Sequence, residues 1–249
     1  MICGPGPRRA GLDLFGAGVT FALQTRGSDL KLLEGPTRPP AAGGAAQSLV
    51  IFLHGYGSNG DDLIGLAEYW RQALPNTAFA SPNAPEICPG APDGYQWWGL
   101  GDLSPGGRSA GVRRPAGLLN AYIDAQLLHH GLAEDRLALV GFSQGTMMAL
   151  HVGPRRADTM AGIVGYSGML ADPDELVAEV AGRPPVLLVH GDADPMVPIT
   201  ALPKAKQGLE AAGLDVVTHI SPGLGHSIDE MGLRLGATFL AHRLTRPAA

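Results

Sequence analysis

Cysteine is nearly absent from this 249-residue chain: only Cys3 and Cys88 occur. That excludes a disulfide framework and a cysteine-rich metal site. Charge is also sparse. Asp, Glu, Lys and Arg make up 16% of the residues, the net charge is −5, and the 18 basic residues are scattered. Binding to nucleic acid calls for Lys and Arg gathered on one face to meet phosphates, so neither DNA nor RNA is an expected partner. No apolar run approaches the ~20 residues that cross a bilayer, so stable membrane insertion is not expected. Arg8 and Arg9 precede a mildly apolar stretch, but Asp13 interrupts it and no clear cleavage site follows. The expected reading is a cytoplasmic protein without a signal peptide.

What the chain has in quantity is glycine and proline, 36 and 21 residues, within a sequence that is 45% hydrophobic. That is enough for one sizeable core, and residues 1–249 read as a single domain. Residues 18–25 suit an edge strand, and Glu34 to Gln47 form a loop rich in Pro, Gly and Ala. Beyond it come short apolar runs bounded by turn residues: Leu49–Leu53, Ala78–Ala80, Leu137–Val140, Ile163–Tyr166, Val186–Val189 and Val216–Ile220. Such runs suit parallel strands buried on both faces. Stretches of helical periodicity lie between them, at roughly 61–73, 112–131, 144–155, 200–213 and 228–246. Ser227 and Glu230 have the spacing of a capping box for the last. The alternation predicts an α/β protein with a mostly parallel central sheet and helices on both faces.

Two stretches carry the pattern Gly-x-Ser-x-Gly, at 107–111 and at 141–145. In a glycine-rich chain the pattern alone is weak, so its setting decides. A serine nucleophile sits on a sharp turn from a buried strand into a helix, with glycines flanking it because side chains there would collide with both. Ser143 follows Leu137-Ala-Leu-Val140 and precedes Thr146-Met-Met-Ala-Leu150, a good strand and a good helix. Ser109 follows Leu103-Ser-Pro-Gly-Gly107, which cannot be a central strand, and it reads as a loop residue.

A serine hydroxyl needs a general base, and the base needs an orienting carboxylate. On such a sheet they follow the serine in the order acid, histidine, each in a loop beyond a strand's C-terminal end. After the strand ending at His190-Gly191, Asp192 and Asp194 both qualify by position. Asp194 is favoured because it lies further out and Pro195 stiffens the chain after it, whereas Asp192 suits a turn-bracing role. Three of the eight histidines follow the acid. His219 falls within a strand and His242 within the last helix, which leaves His226 in the loop Ser221–His226. His129, His130, His151, His219 and His242 read as surface or packing residues.

The tetrahedral intermediate of acyl transfer needs two N–H donors. The backbone of Gln144 is one candidate. The backbone of Tyr56, in the glycine-rich turn His54-Gly55-Tyr56-Gly57, is the other. His54 is expected to brace that turn. The turn lacks both the Gly-Lys-Ser/Thr ending of a phosphate loop and a dinucleotide fingerprint. Residues 92–111 read as a long irregular connection. Within it Trp97 and Trp98 either cover an acyl group or pack the loop onto the core. Met169, Leu170, Met196 and Val197 follow strand ends near the triad and are candidates for lining the acyl pocket.

Together these motifs, His54-Gly55-Tyr56-Gly57, Gly141-Phe142-Ser143-Gln144-Gly145, His190-Gly191 with Asp194 and Val197-Pro198, and Gly225-His226, resemble the carboxylesterase, lysophospholipase and acyl-protein thioesterase family of small α/β-hydrolases. The resemblance spans roughly residues 48–246, and Gln96-Trp97-Trp98 is similar to its bacterial esterase branch. It implies an α/β-hydrolase fold without a large cap domain, a triad of Ser143, Asp194 and His226, and an oxyanion hole at Tyr56 and Gln144. It also implies hydrolysis of small to medium acyl esters without metal or cofactor. A homodimer is compatible with it. Two positions depart from the family. Thr146 stands where many members carry another glycine, and Tyr56 where Leu is frequent. An acyl-protein thioesterase or a lysophospholipase would use the same residues. A catalytically inactive binding protein of the same fold is the alternative of another class.

Overall fold

The computed structural model describes residues 32–245; the strand expected over 18–25 lies outside them. In chain order the elements are β1 (Thr37–Arg38), β2 (Ser48–Leu53), α1 (Gly60–Ile64), α2 (Leu66–Trp70), β3 (Thr77–Ala80), β4 (Glu86–Ile87), β5 (Tyr95–Gln96), α3 (Pro105–His130), β6 (Leu137–Phe142), α4 (Gln144–Val152), β7 (Gly162–Tyr166), α5 (Pro173–Glu179), β8 (Val186–Gly191), α6 (Ala201–Ala211), β9 (Val216–Ser221) and α7 (Glu230–Leu244). Each of the six apolar runs is a strand.

The main sheet has the order β1-β3-β2-β6-β7-β8-β9. All its pairings are parallel except β1 with β3. Strand side chains alternate between faces, so each run feeds two cores. Leu49, Ile51, Leu53, Leu137, Leu139 and Ile163 face one core with residues of α3, α4, α5 and α6. Val50, Phe52, Ala138, Val140, Val164 and Tyr166 face the other with α1, α2 and α7. The expected α/β-hydrolase architecture, helices on both faces of a mostly parallel sheet, is therefore what the chain adopts. No helix among the described residues is long and apolar enough to cross a membrane.

Chain order reverses between β2 and β6. From β2 the chain steps outward to β3, then returns to β6 and proceeds outward on the other side. At such a switch point the loops leaving the two strands diverge and open a crevice at their C-terminal ends. The Gly-rich turn after β2 and the Ser143 turn after β6 both border it.

Several expectations are corrected. The helix expected over 61–73 is two short ones, α1 and α2. The loop over 34–47 contributes β1, and α5 has no counterpart in the expected helices. The 92–111 connection is more regular than its composition suggests: β5 pairs with β4 as a small hairpin, and α3 begins at Pro105, capped by Ser104, whose Oγ accepts from Gly107 N. Ser109 is consequently a helical residue. Its flanking glycines serve packing: a Cβ on Gly111 would lie 2.4 Å from the Trp98 ring, and one on Gly107 2.3 Å from the Asp102 carboxyl carbon. The capping box does not form either. Asp229 caps α7, its carboxylate accepting from Gly232 N at 2.7 Å.

A buried ionic cluster joins α3, α4 and α5. The Asp172 carboxylate, fully buried, meets Arg155 at 2.8 Å, His151 Nδ1 at 3.0 Å and Arg113 at 3.1 Å. His151 is thus a packing residue with an ionic partner. In the interior of α3, by contrast, a Cβ on Gly117 would meet nothing within 4 Å. Gly117→Ala is expected to raise stability by about 0.5–1 kcal/mol, because Ala loses less backbone entropy on entering a helix. The midpoint of urea denaturation checks it.

Candidate active site

Ser143 is the hinge between β6 and α4. Its backbone has φ 54° and ψ −115°, a left-handed conformation that non-glycine residues hold only when their surroundings impose it. Its N–H donates to Tyr166 O at 2.9 Å, fastening the turn to β7. The flanking glycines have no room for side chains. A Cβ on Gly145 would lie 1.8 Å from Leu53 O, and one on Gly141 2.4 Å from the Gly145 carbonyl carbon. Thr146, the departure beside this turn, is accommodated by two further glycines. A Cβ on Gly165 or Gly168 would meet the Thr146 side chain at 2.6 or 2.4 Å, and Thr146 Oγ1 lies 2.8 Å from both Gly141 O and Tyr166 O.

Three side chains from separate loops meet here. His226 Nε2 lies 3.0 Å from Ser143 Oγ, and His226 Nδ1 lies 2.8 Å from Asp194 Oδ2. The other Asp194 oxygen accepts from the amides of Met196 (2.8 Å) and Val197 (2.9 Å). Burial alone would push the Asp194 carboxyl up. The hydrogen bonds from His226 and the two amides outweigh it, so the carboxyl is held below its ordinary range. His226 reaches Asp194 because Gly191 lets its loop pass close to the end of β8, where a Cβ would lie 2.1 Å from Leu224 O. Asp192 braces the same loop, accepting from Gly223 N at 2.6 Å.

Sequence reasoning passed over two contributors. His190 is buried, with Nε2 2.8 Å from Val197 O and 3.4 Å from Asp194 Oδ2, so it fixes the turn that holds Asp194. Ser167 is the second non-glycine residue at positive φ (48°) among the described residues, and its Oγ donates to Ser227 O at 3.3 Å, beside His226. His190 had a visible signal in its position at a strand end before the acid. Ser167 had none, because its strain is imposed by neighbours distant in sequence.

Gln144 opens α4, and the first amides of a helix have no intrahelical acceptor. In the turn after β2, the amides of Gly57 and Ser58 are engaged by Tyr95 O and Gly55 O. Among the described residues, the Tyr56 amide makes no such turn bond. His54 braces the turn as expected: Nδ1 is 2.7 Å from Gly55 O, and Nε2 accepts from Ala84 N at 2.9 Å. Burial pushes its imidazole pKa down, consistent with a neutral ring that donates at one nitrogen and accepts at the other.

The candidate pocket residues separate into groups. Met169 and Leu170 line a cavity of about 570 Å³, together with Pro105 and Ser109 of α3 and Ala201 of α6. Ser143, Asp194 and His226 are not among its lining residues. Met169, one of its lining residues, follows Gly168, whose added Cβ would lie 3.0 Å from Ser143 O. Met196 is 70% exposed, whereas Val197 is buried and serves the site through its backbone. Trp97 and Trp98 are both buried in the core beside α3 and α4, which is the packing reading of the pair.

Comparison with known proteins identifies the family. The phospholipase/carboxylesterase family model matches residues 40–244. Acyl-protein thioesterase 1 of Neurospora crassa is 32% identical over 216 residues, covering 80% of this chain and 88% of the relative. Esterase YpfH of Escherichia coli is 24% identical, covering 86% and 88%. The crystal structure of esterase PE8 superposes with a TM-score of 0.82 at 43% identity, over 86% of this chain and all of that one. The chain belongs to the phospholipase/carboxylesterase family.

Proposed function

We propose that the protein is a serine carboxylesterase acting on small to medium acyl esters. The observation that carries this is the unbroken hydrogen-bonded relay from Ser143 Oγ through His226 to Asp194, with the serine on a strained turn at the sheet's switch point. Ser143 Oγ attacks the ester carbonyl carbon as His226 Nε2 takes its proton, and Asp194 stabilises the imidazolium through Nδ1–H. The tetrahedral oxyanion is held by the amides of Tyr56 and Gln144. His226 then protonates the departing alkoxide, leaving Ser143 acylated. Water, deprotonated by His226, attacks the acyl-enzyme carbonyl, and the carboxylic acid leaves as Ser143 recovers its proton.

A second reading is favoured by the relatives named acyl-protein thioesterase: the same residues would cleave a thioester, releasing a thiol. Hydrolysis of a p-nitrophenyl ester series compared with a palmitoyl thioester decides between them. Higher kcat/KM on short esters is expected, and a clear preference for the thioester would replace the carboxylesterase assignment. A fluorophosphonate probe is expected to label Ser143. A folded protein left unlabelled there would sink both readings and favour a binding role.

A further inference from the structure

The backbone N–H of Gln144 is an oxyanion donor that any residue could supply, so that role does not account for its side chain. Yet this side chain, at the first position of a helix, is buried (2% exposed). It makes two hydrogen bonds to one segment: Oε1 accepts from Trp97 N at 2.9 Å, and Nε2 donates to Trp98 O at 2.8 Å. The carboxamide therefore ties down the backbone of residues 97 and 98 through one acceptor and one donor.

The same segment reaches the other donor. Gly57 N donates to Tyr95 O at 2.9 Å and Tyr95 N to Ser58 O at 2.7 Å, clamping the two residues that follow Tyr56. The Trp97 indole N–H donates to the carbonyl of His54, two residues before Tyr56, at 3.0 Å. Tyr95–Trp98 thus holds the Tyr56 turn on both sides and holds the Gln144 side chain at its other end. It is itself anchored through the β4–β5 pairing and the Gln96–Glu86 hydrogen bond (2.9 Å).

We propose that Gln144, through its carboxamide, and Trp97, through its indole N–H, are positioning residues that set the distance between the two oxyanion donors. The proposal rests on the assignment of the Tyr56 and Gln144 amides to that role. Both donors must lie about 2.7–3.1 Å from an oxygen that becomes an anion only in the transition state. Loosening the spacer therefore weakens transition-state binding more than substrate binding.

The test uses Gln144→Met, which keeps length and bulk without hydrogen bonds, and Trp97→Phe, which deletes one N–H and keeps an aromatic ring. On a p-nitrophenyl ester each is expected to lower kcat about 10- to 100-fold, less than outright loss of a donor, with KM changed by less than about threefold. The inhibition constant of a trifluoromethyl ketone, which forms a tetrahedral oxyanion on Ser143, should rise by the same factor as kcat/KM falls. Gln144→Glu adds a readout that simple loss of packing would not move. Its neutral acid can accept from Trp97 N and donate to Trp98 O, whereas its carboxylate cannot donate. Its rate relative to wild type should rise as pH falls, while the Gln144→Met ratio stays flat. A kcat within about twofold of wild type in both variants, or a fall in kcat/KM unmatched by the ketone, would overturn the proposal. Should Gln144→Met not fold, Trp97→Phe carries the test. A wild-type protein that hydrolyses no ester would instead overturn the proposed function, so the two failures are distinguishable.

Discussion

With His226 replaced by Ala, kcat on an activated ester is expected to fall about 10⁶-fold, the scale seen when the base of a serine triad is removed. The loss is this large because, among the described residues, the nitrogen that hydrogen-bonds Ser143 Oγ, at 3.0 Å, is that of His226, and Asp194 contacts the imidazole. Stability should change little, since the His226 side chain is partly exposed; its ring contacts the Phe142 ring, 4.9 Å away between centroids. Asp194→Asn separates orientation from proton transfer. An Asn keeps an oxygen to accept from the Met196 and Val197 amides, so the turn survives. Its NH₂ would then face His226 Nδ1 and favour the tautomer protonated on Nε2, which cannot accept from serine. A loss of about 10⁴-fold in kcat with near-normal folding is expected. Steady-state kinetics with circular dichroism checks both. A folded His226→Ala protein within about 10³-fold of wild type would remove His226 from the role of base.

Gly145→Ala should act on the fold itself, at a cost of more than about 3 kcal/mol. Its Cβ would lie 1.8 Å from Leu53 O, 2.4 Å from Leu53 C and 2.8 Å from His54 O. All three are backbone atoms at the end of β2, so no rotamer change relieves the clash. Either α4 must lift off the sheet or β2 must shift against β6, where Leu53 pairs with Gly141. Both movements separate the Ser143 turn from the Tyr56 turn, so ester hydrolysis and fluorophosphonate labelling should be lost together. Urea denaturation beside Gly117→Ala makes the contrast direct, because the same added methyl is expected to stabilise there.

The regular core was legible because its strands are short apolar runs, and Ser143 because strand, glycines and helix adjoin it in sequence. His226 and Asp194 were legible from loop position and order. Features that depend on three-dimensional neighbours were not. The glycines around Ser109 mimicked a nucleophile turn, yet Gly111 is there to admit the Trp98 ring, a contact that no local pattern reveals. The start of α3 carried its own signal, Ser104 as cap and Pro105 at the first turn. That signal was overshadowed by Gly106-Gly107 and by Pro115 within the helix. The caps of α7 compete locally, and Asp229 prevails over Ser227 because its carboxylate reaches the Gly232 amide. The buried Trp97 and Trp98 could not be told from pocket residues until the helices beside them were placed.

The switch-point arrangement also has a kinetic consequence. Ser143 and His226 are 83 residues apart in the chain, and the Gln144 side chain bonds a segment 46 to 47 residues before it. Contacts of such long sequence separation form late, because a large loop must be closed before they repay its entropy. Partly folded chains with β6 and α4 in place would therefore carry a serine without its base and without the Tyr56 amide. In refolding from urea, recovery of ester hydrolysis should trail recovery of helical signal, making the enzyme's own turnover a clock for the last stage of its folding.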